Sequence, residues 1–314
     1  MKIAIAGAGA MGGRFGYMLF KAGYDVTLID QWVPHVEAIR EHGFKINLDG
    51  EDICAKIPIF FPEEVAAKEE KYDLIVLYTK SMQLDSMLET LGSVVTHEDT
   101  FVICLLNGIG HEEVVKKYVP ITNILLGNTM WTAGLVGPGK IKLHSTGHVD
   151  FSELHPNGKE MAKKAVDAFN DAGLNAVYAE DVYFQIYRKA TLNGVMNSLC
   201  TILDANMHNV GMANGSWQLM EGIVEEFAAV AAAEGVKFDK EEVFESLKSC
   251  FDKDGIGAHF PSMHQDLIGQ HRLTEIDSLN GYIAQKGKEH GIPTPICACI
   301  AKLIHCKEDL LKAT

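Results

Sequence analysis

Apolar residues in the first 110 positions fall into short continuous runs, separated by stretches with helical spacing. Lys2–Ala6 reads as a buried strand, and Met11–Ala22 has the period of a helix that stops at Gly23. Asp25–Asp30 is the next strand pattern, and Val33–Glu41 is a helix closed by Gly43. Leu74–Tyr78 and Phe101–Leu106 are two more short apolar runs, each followed by polar residues or glycine. Strands alternating with helices in this way predict βαβ units around a parallel sheet. Ligands of such sheets lie beyond the carboxyl ends of the strands, so Gly7–Gly12, Asp30, Thr79-Lys80 and Asn107-Gly108 are expected to surround one crevice. Residues 121–155 are rich in β-formers and turns, and are expected to extend the sheet in antiparallel fashion.

Beyond about residue 181 the period changes. Tyr183–Leu203, Ser216–Glu234, Lys240–Cys250, Thr274–His290 and Thr294–Leu311 all have helical length and spacing. The expected architecture is therefore an α/β domain, a doubly wound, mostly parallel sheet with an antiparallel extension, followed by an all-α C-terminal domain. The expected boundaries are 1–181 for the α/β domain and 182–314 for the helical one.

Composition narrows the partners. With 314 residues and a hydrophobic fraction of 47%, the chain can bury the cores of two domains. Its net charge of −14 disfavours nucleic acid and anionic membrane surfaces, which need clustered Lys and Arg. No apolar stretch approaches the ~18 residues of a spanning helix, and Met1-Lys2 runs straight into the first strand with no secretory pattern. The seven cysteines are scattered and form no CxxC pair, so no metal site is expected and a cytoplasmic protein with reduced thiols is.

Gly7-Ala8-Gly9-Ala10-Met11-Gly12 is GxGxxG between a strand and a helix, the dinucleotide fingerprint of a Rossmann domain. Its first glycine permits a tight turn, its second lets the pyrophosphate approach the backbone, and its third lets helix and strand pack closely. Asp30 ends the second strand 18 residues after Gly12, where a carboxylate accepts from a ribose 2′-hydroxyl and repels a 2′-phosphate. NAD(H) is therefore favoured over NADP(H). Lys80, ending another strand, is a further cofactor-binding candidate.

Lys189, Asn193 and Asn197 recur at i, i+4 and i+8, one stripe of about 80° on a helix. One cation and two amides suit a ligand with a carbonyl and a carboxylate. The run Tyr187–Asn197 that contains them resembles the catalytic helix of the ketopantoate reductase family. Leu106-Asn107-Gly108, Gly137-Pro138-Gly139, Ser262-Met263-His264-Gln265-Asp266, Thr274-Glu275-Ile276-Asp277 and Asn280-Gly281 resemble the same family, in its order. The resemblance implies that Lys189 is the general acid on the keto oxygen, and that Asn193 and Asn197 bind substrate. It places Asn107 by the nicotinamide and reacting carbon, Ser262 on the substrate carboxylate, and Glu275 on a substrate hydroxyl or on Lys189.

Tyr187 stands where the family usually has Trp. Asn197-Ser198-Leu199-Cys200 replaces Asn-Pro-Leu-Thr, and Asp30-Gln31 lacks the Arg of NADPH-using members. These departures point toward the family's NAD-dependent D-2-hydroxyacid dehydrogenases. The implied activity is reduction of a branched 2-keto acid, ketopantoate or one like 2-ketoisovalerate, to the D-2-hydroxy acid by a homodimer. Two rival classes are a β-hydroxyacid dehydrogenase, which would need a Gly-rich segment before Lys189, and a dinucleotide-sensing binding protein, which would need no positioned acid.

Overall fold

Ile3, Ala4, Ile5 and Ala6 are fully buried, as expected for a strand with helices on both faces of its sheet. In a computed structural model of the chain, which describes residues 1–143 and 146–313, this segment is the strand β1 (Lys2–Ala6). The strands that follow are β2 (Asp25–Ile29), β3 (Phe44–Leu48), β4 (Glu51–Ala55), β5 (Ile59–Phe60), β6 (Leu74–Leu77) and β7 (Phe101–Cys104). After them come β8 (Ile124–Thr129), β9 (Ala133–Gly137), β10 (Lys140–Leu143), β11 (Val149–Glu153) and β12 (Ala176–Tyr178). All of them belong to a unit made of residues 1–106 and 111–182.

The main sheet has the order β12-β11-β8-β7-β6-β1-β2-β5. Its pairings are parallel except for the step from β8 to β11. The strand order reverses direction at β1, the topological switch point beside which such sheets bind ligands. The helix Ala10–Lys21 follows β1 and packs on β1 and β2.

The segment 121–155 departs from a simple extension. β8 runs parallel to β7, and only β11 turns antiparallel. β9 and β10 leave the main sheet and join β3 and β4 in a second sheet of order β4-β3-β10-β9. In β3 and β10 the side chains alternate: Phe44, Ile46, Ile141 and Leu143 are buried, while Lys45, Lys140 and Lys142 face outward. That period of two suits a sheet with one covered face.

A second unit comprises residues 107–110 and 183–314, and among its described residues it is helical. Its longest helix, Val182–Leu203, is buried continuously from Val195 to Cys200. Around it lie Met207–Met212, Ser216–Ala233, Lys240–Cys250, Asn280–His290 and Pro295–Leu311. Phe227, Val230, Leu247, Ile283 and Ile304 fill the core between them, each fully buried. Glu226 accepts the backbone N–H groups of Ile296 and Cys297 at 2.9 and 2.8 Å, so a buried carboxylate caps the last helix at its positive end.

One predicted element is shorter than its pattern. The periodicity predicts a helix from Thr274, but helix begins only at Asn280, after a 3₁₀ turn at Ile276–Ser278. Glu308 accepts from both the N–H and the hydroxyl of Thr274, at 2.8 and 2.6 Å, and those tertiary bonds hold Thr274 outside any helix. Among the described residues no helix is long and apolar enough to cross a membrane.

Candidate active site

The glycine loop is built where β1 ends. Gly7 has φ +93°, and a Cβ there would stand 2.5 Å from the Thr79 nitrogen. A Cβ on Gly12 would lie 1.8 Å from the Gly7 carbonyl oxygen. Both positions therefore exclude a side chain for reasons of backbone geometry. Gly9 differs: a Cβ there meets nothing within 4 Å, so the loop is open on that side. Ala10 and Met11 begin the helix, whose first turn carries no acidic residue to compete with a bound anion for its amides. This cradle and its helix end fit a pyrophosphate. The hydroxyl of Thr79, buried beside Gly7, has no hydrogen-bond partner among the described residues and is a further polar atom at the same place.

Asp30 follows β2 directly. One of its oxygens accepts the Ala8 N–H at 2.8 Å and the other accepts the Trp32 N–H at 2.9 Å. Each oxygen keeps lone-pair capacity for a ribose hydroxyl. Lys80, half-buried, precedes a 3₁₀ turn at Ser81–Gln83. Sequence reasoning missed His35, which is fully buried and whose Nε2 lies 2.9 Å from the Ala8 carbonyl. A single histidine in a helix carries no local signal of such a contact.

The helical unit carries the other sequence-predicted residues. Lys189 Nζ donates to Asn107 Oδ1 at 2.7 Å. Asn107 is carried by the loop 107–110, which is pinned to the segment before Asn280. The Ile109 N–H donates to the Ser278 carbonyl at 2.9 Å, and Gly108, at φ +103°, leaves no room for a Cβ against Ser278. Asn193 is half-buried and Asn197 buried, one and two turns beyond Lys189. Neither amide has a hydrogen-bond partner among the described residues, so both are available to a ligand.

Ser262 starts the short helix Ser262–His264, which continues as π-helix through Gln265–Gly269, and it is exposed. Glu275 is half-buried and its carboxylate has no hydrogen-bond partner among the described residues. Two neighbours in these motifs are structural instead: Asp266 pairs with Arg272, and Asp277 with His305 at 2.9 Å. The geometry thus joins Lys189 to Asn107, sets two open amides on the same helix, and puts Ser262 and Glu275 on separate segments of the unit. Among the described residues no group of His, Cys, Asp and Glu could hold a metal ion.

A glycine cradle with a ribose-type carboxylate, and a lysine hydrogen-bonded to an amide beside further open amides, define a nicotinamide-dependent oxidoreductase. Comparison with known proteins narrows the class. Residues 3–156 match the family described as Ketopantoate reductase PanE/ApbA, and residues 181–308 match its C-terminal domain. The chain therefore belongs to the ketopantoate reductase family, and it is an NAD(P)-dependent 2-keto acid reductase. It is 51% identical to a 2-dehydropantoate 2-reductase of Lactococcus lactis over 313 residues, covering all of both chains. A 2-dehydropantoate 2-reductase of Streptococcus pyogenes is 43% identical, over 99% of each chain. Among solved structures, D-mandelate dehydrogenase with NADH and anilino(oxo)acetate matches with a TM-score of 0.95 at 51% identity, covering 99% of this chain and 100% of that one.

Proposed function

We propose that this enzyme uses NADH to reduce 2-keto acids branched at the carbon next to the carbonyl, giving the D-2-hydroxy acid. The observation that carries the reading is the hydrogen bond from Lys189 Nζ to Asn107 Oδ1. It fixes the direction of an ammonium group. The amide is neutral, so this bond orients the ammonium group without taking up its charge.

Bound nicotinamide supplies the hydride to the keto carbon. Lys189 donates the proton to the keto oxygen, stabilises the negative charge growing there, and regains its proton from water. Asn193 and Asn197 offer neutral amides to the carbonyl and carboxylate, and Ser262 adds a hydroxyl at the carboxylate. Glu275 accepts from a substrate hydroxyl such as that of ketopantoate, or orients Lys189. Gly7, Ala8, Gly9, Ala10, Met11 and Gly12 seat the pyrophosphate, Asp30 and Lys80 meet the adenosine ribose, and Asn107 lies by the nicotinamide. The unit around residues 1–181 thus serves the dinucleotide and residues 182–314 the substrate.

The preference for NADH rests on Asp30, and a relative of high similarity has been solved with NADH. Branched substrates are supported by the relatives' own names, which join ketopantoate and mandelate chemistry. The exposed stripe Cys299, Leu303, Cys306 and Leu310 on the last helix, at spacings of four, three and four, supports a homodimer, which sedimentation would test. Seven free thiols support a cytoplasmic setting.

Lys189→Ala tests the core of the proposal. It should lower kcat at least ~10²-fold, the scale of a general acid, while NADH still binds. Wild-type turnover in that variant would refute the role. Rates with ketopantoate, 2-ketoisovalerate, phenylglyoxylate and straight-chain 2-ketobutyrate test the substrate class, and a preference for 2-ketobutyrate would refute it.

A further inference from the structure

The helix Val33–His42 carries a histidine that the carbonyl chemistry does not use. His35 makes two hydrogen bonds through its ring. The Gly139 N–H donates to Nδ1 at 3.0 Å, and Nε2 lies 2.9 Å from the Ala8 carbonyl oxygen. An amide N–H only donates, so Nδ1 is the bare acceptor and the ring proton sits on Nε2, where it is donated to Ala8. The ring plane is fixed by Trp32, stacked at 5.4 Å and 11°, and by Phe44, edge-on at 5.9 Å. Burial pushes the imidazole below its ordinary pKa, against the pull of Asp30, and so keeps this neutral tautomer.

Ala8 is thereby held on both sides of its α-carbon. Its N–H is taken by Asp30 and its C=O by His35. The Ala8–Gly9 peptide is planar and trans, so drawing the Ala8 oxygen toward His35 turns the Gly9 N–H the opposite way. Gly9 is the fingerprint glycine whose Cβ direction is open. We propose that His35 is a positioning residue for the cofactor: its Nε2–H sets the Ala8–Gly9 peptide so that the Gly9 N–H is presented to the pyrophosphate. The turn at Gly139, at the end of the second sheet's β9–β10 connection, locks the tautomer that does this. The inference rests on the reading that the Gly7–Gly12 loop takes the dinucleotide.

Two substitutions separate the two bonds. In His35→Gln the side-chain amide reaches toward Ala8 as Nε2 does. In His35→Asn the amide oxygen can still accept from Gly139, but nothing reaches Ala8. NADH dissociation constants, from quenching of tryptophan fluorescence, should rise roughly tenfold in the Asn variant and stay within about twofold in the Gln variant. Melting temperature should fall in both, and kcat at saturating NADH should hold in both. An Asn variant that binds NADH like wild type overturns the proposal, as does weakening in both variants that only tracks lost stability.

Wild-type protein labelled with ¹⁵N-histidine gives a measurement that no folding defect can spoil. His35 should show a protonated Nε2 whose resonance moves on adding NADH; an unmoved Nε2 overturns the proposal. Wild-type protein that binds no dinucleotide at all would remove the underlying reading as well, and is told apart by that result.

Discussion

Replacing Asp30 with Asn should move cofactor preference, and the size of the change follows from what the carboxylate touches. Its two oxygens accept separate backbone N–H groups, from Ala8 and from Trp32. Asn offers one oxygen, so one of those donors is left facing an amide NH₂. The site is half-buried and water can reach it, so the cost is about 1 kcal/mol, or roughly fivefold in affinity for either cofactor. The ribose hydroxyls also lose a charged acceptor, which costs NADH about as much again. NADPH gains what NADH does not. Two unit charges ~4 Å apart repel by about 4 kcal/mol at an effective dielectric of 20 and about 1 kcal/mol in water, and this open site lies between those limits. The ratio of kcat/KM for NADH over NADPH should therefore fall on the order of a hundredfold, mostly through KM. Steady-state rates with both cofactors at fixed keto acid measure it. An unchanged ratio in Asp30→Asn, or a wild type that prefers NADPH, would refute the reasoning.

Other features set further expectations. Gly12→Ala forces a Cβ to within 1.8 Å of the Gly7 oxygen, so the loop and helix must part by more than an ångström; NADH binding should be lost and melting lowered, and wild-type affinity would contradict the packing. Burial alone would push the His305 imidazole down, but hydrogen bonds with Glu308 and Asp277 outweigh it and raise its pKa. The stability this contributes is complete below the unfolded value of about 6.5 and is lost as pH rises through the raised folded value. The wild-type advantage in melting temperature over His305→Gln should thus shrink from pH 6 upward, and an advantage that grows with pH would contradict the sign. Thiol titration of native protein should label the exposed Cys54 quickly, while Cys104 and Cys200, both pushed by burial to about 12, react only on unfolding.

What could be read from the chain alone was what short-range geometry dictates. Gly7, Gly9, Gly12 and Asp30 stand out because a strand–turn–helix fixes their spacing, and Lys189, Asn193 and Asn197 because a helix brings every fourth residue to one face. The hairpin of β3 and β4 was equally local and still escaped. Phe44–Leu48 alternates, and Asp49-Gly50, both at positive φ, form the commonest hairpin turn signal. It was masked by following the helix closed at Gly43 without a gap, and its second sheet partner, β10, lies far along the chain. Long-range capture explains the rest. Thr274 has a helical period but its N–H and hydroxyl go to Glu308, and His35 acquires meaning only once Gly139 and Ala8 meet it.

The departures of the long helix from its family's usual pattern also take on a physical sense. Tyr187, Ser198 and Cys200 are all buried, at 2%, 0% and 0% exposure, so none of them adds a group to the polar stripe. Without proline at 198 the backbone bond from residue 198 to Gly194 can form, and Val182–Leu203 runs 22 residues unbroken. The Ser198 hydroxyl takes the Gly194 carbonyl as well, which satisfies it inside the core. Tyr187, Ser198 and Cys200 are therefore accommodated within the core of the helix that carries Lys189, Asn193 and Asn197. In the proposed mechanism the proton transfer needs that stripe and Asn107, whereas a methylene or a ring on the substrate is worth about 1–3 kcal/mol to whatever apolar side chains meet it. On that reading the substrate side chain can change without altering the proposed acid, so 51% identity to a 2-dehydropantoate 2-reductase and to a D-mandelate dehydrogenase is compatible with a single proposed mechanism.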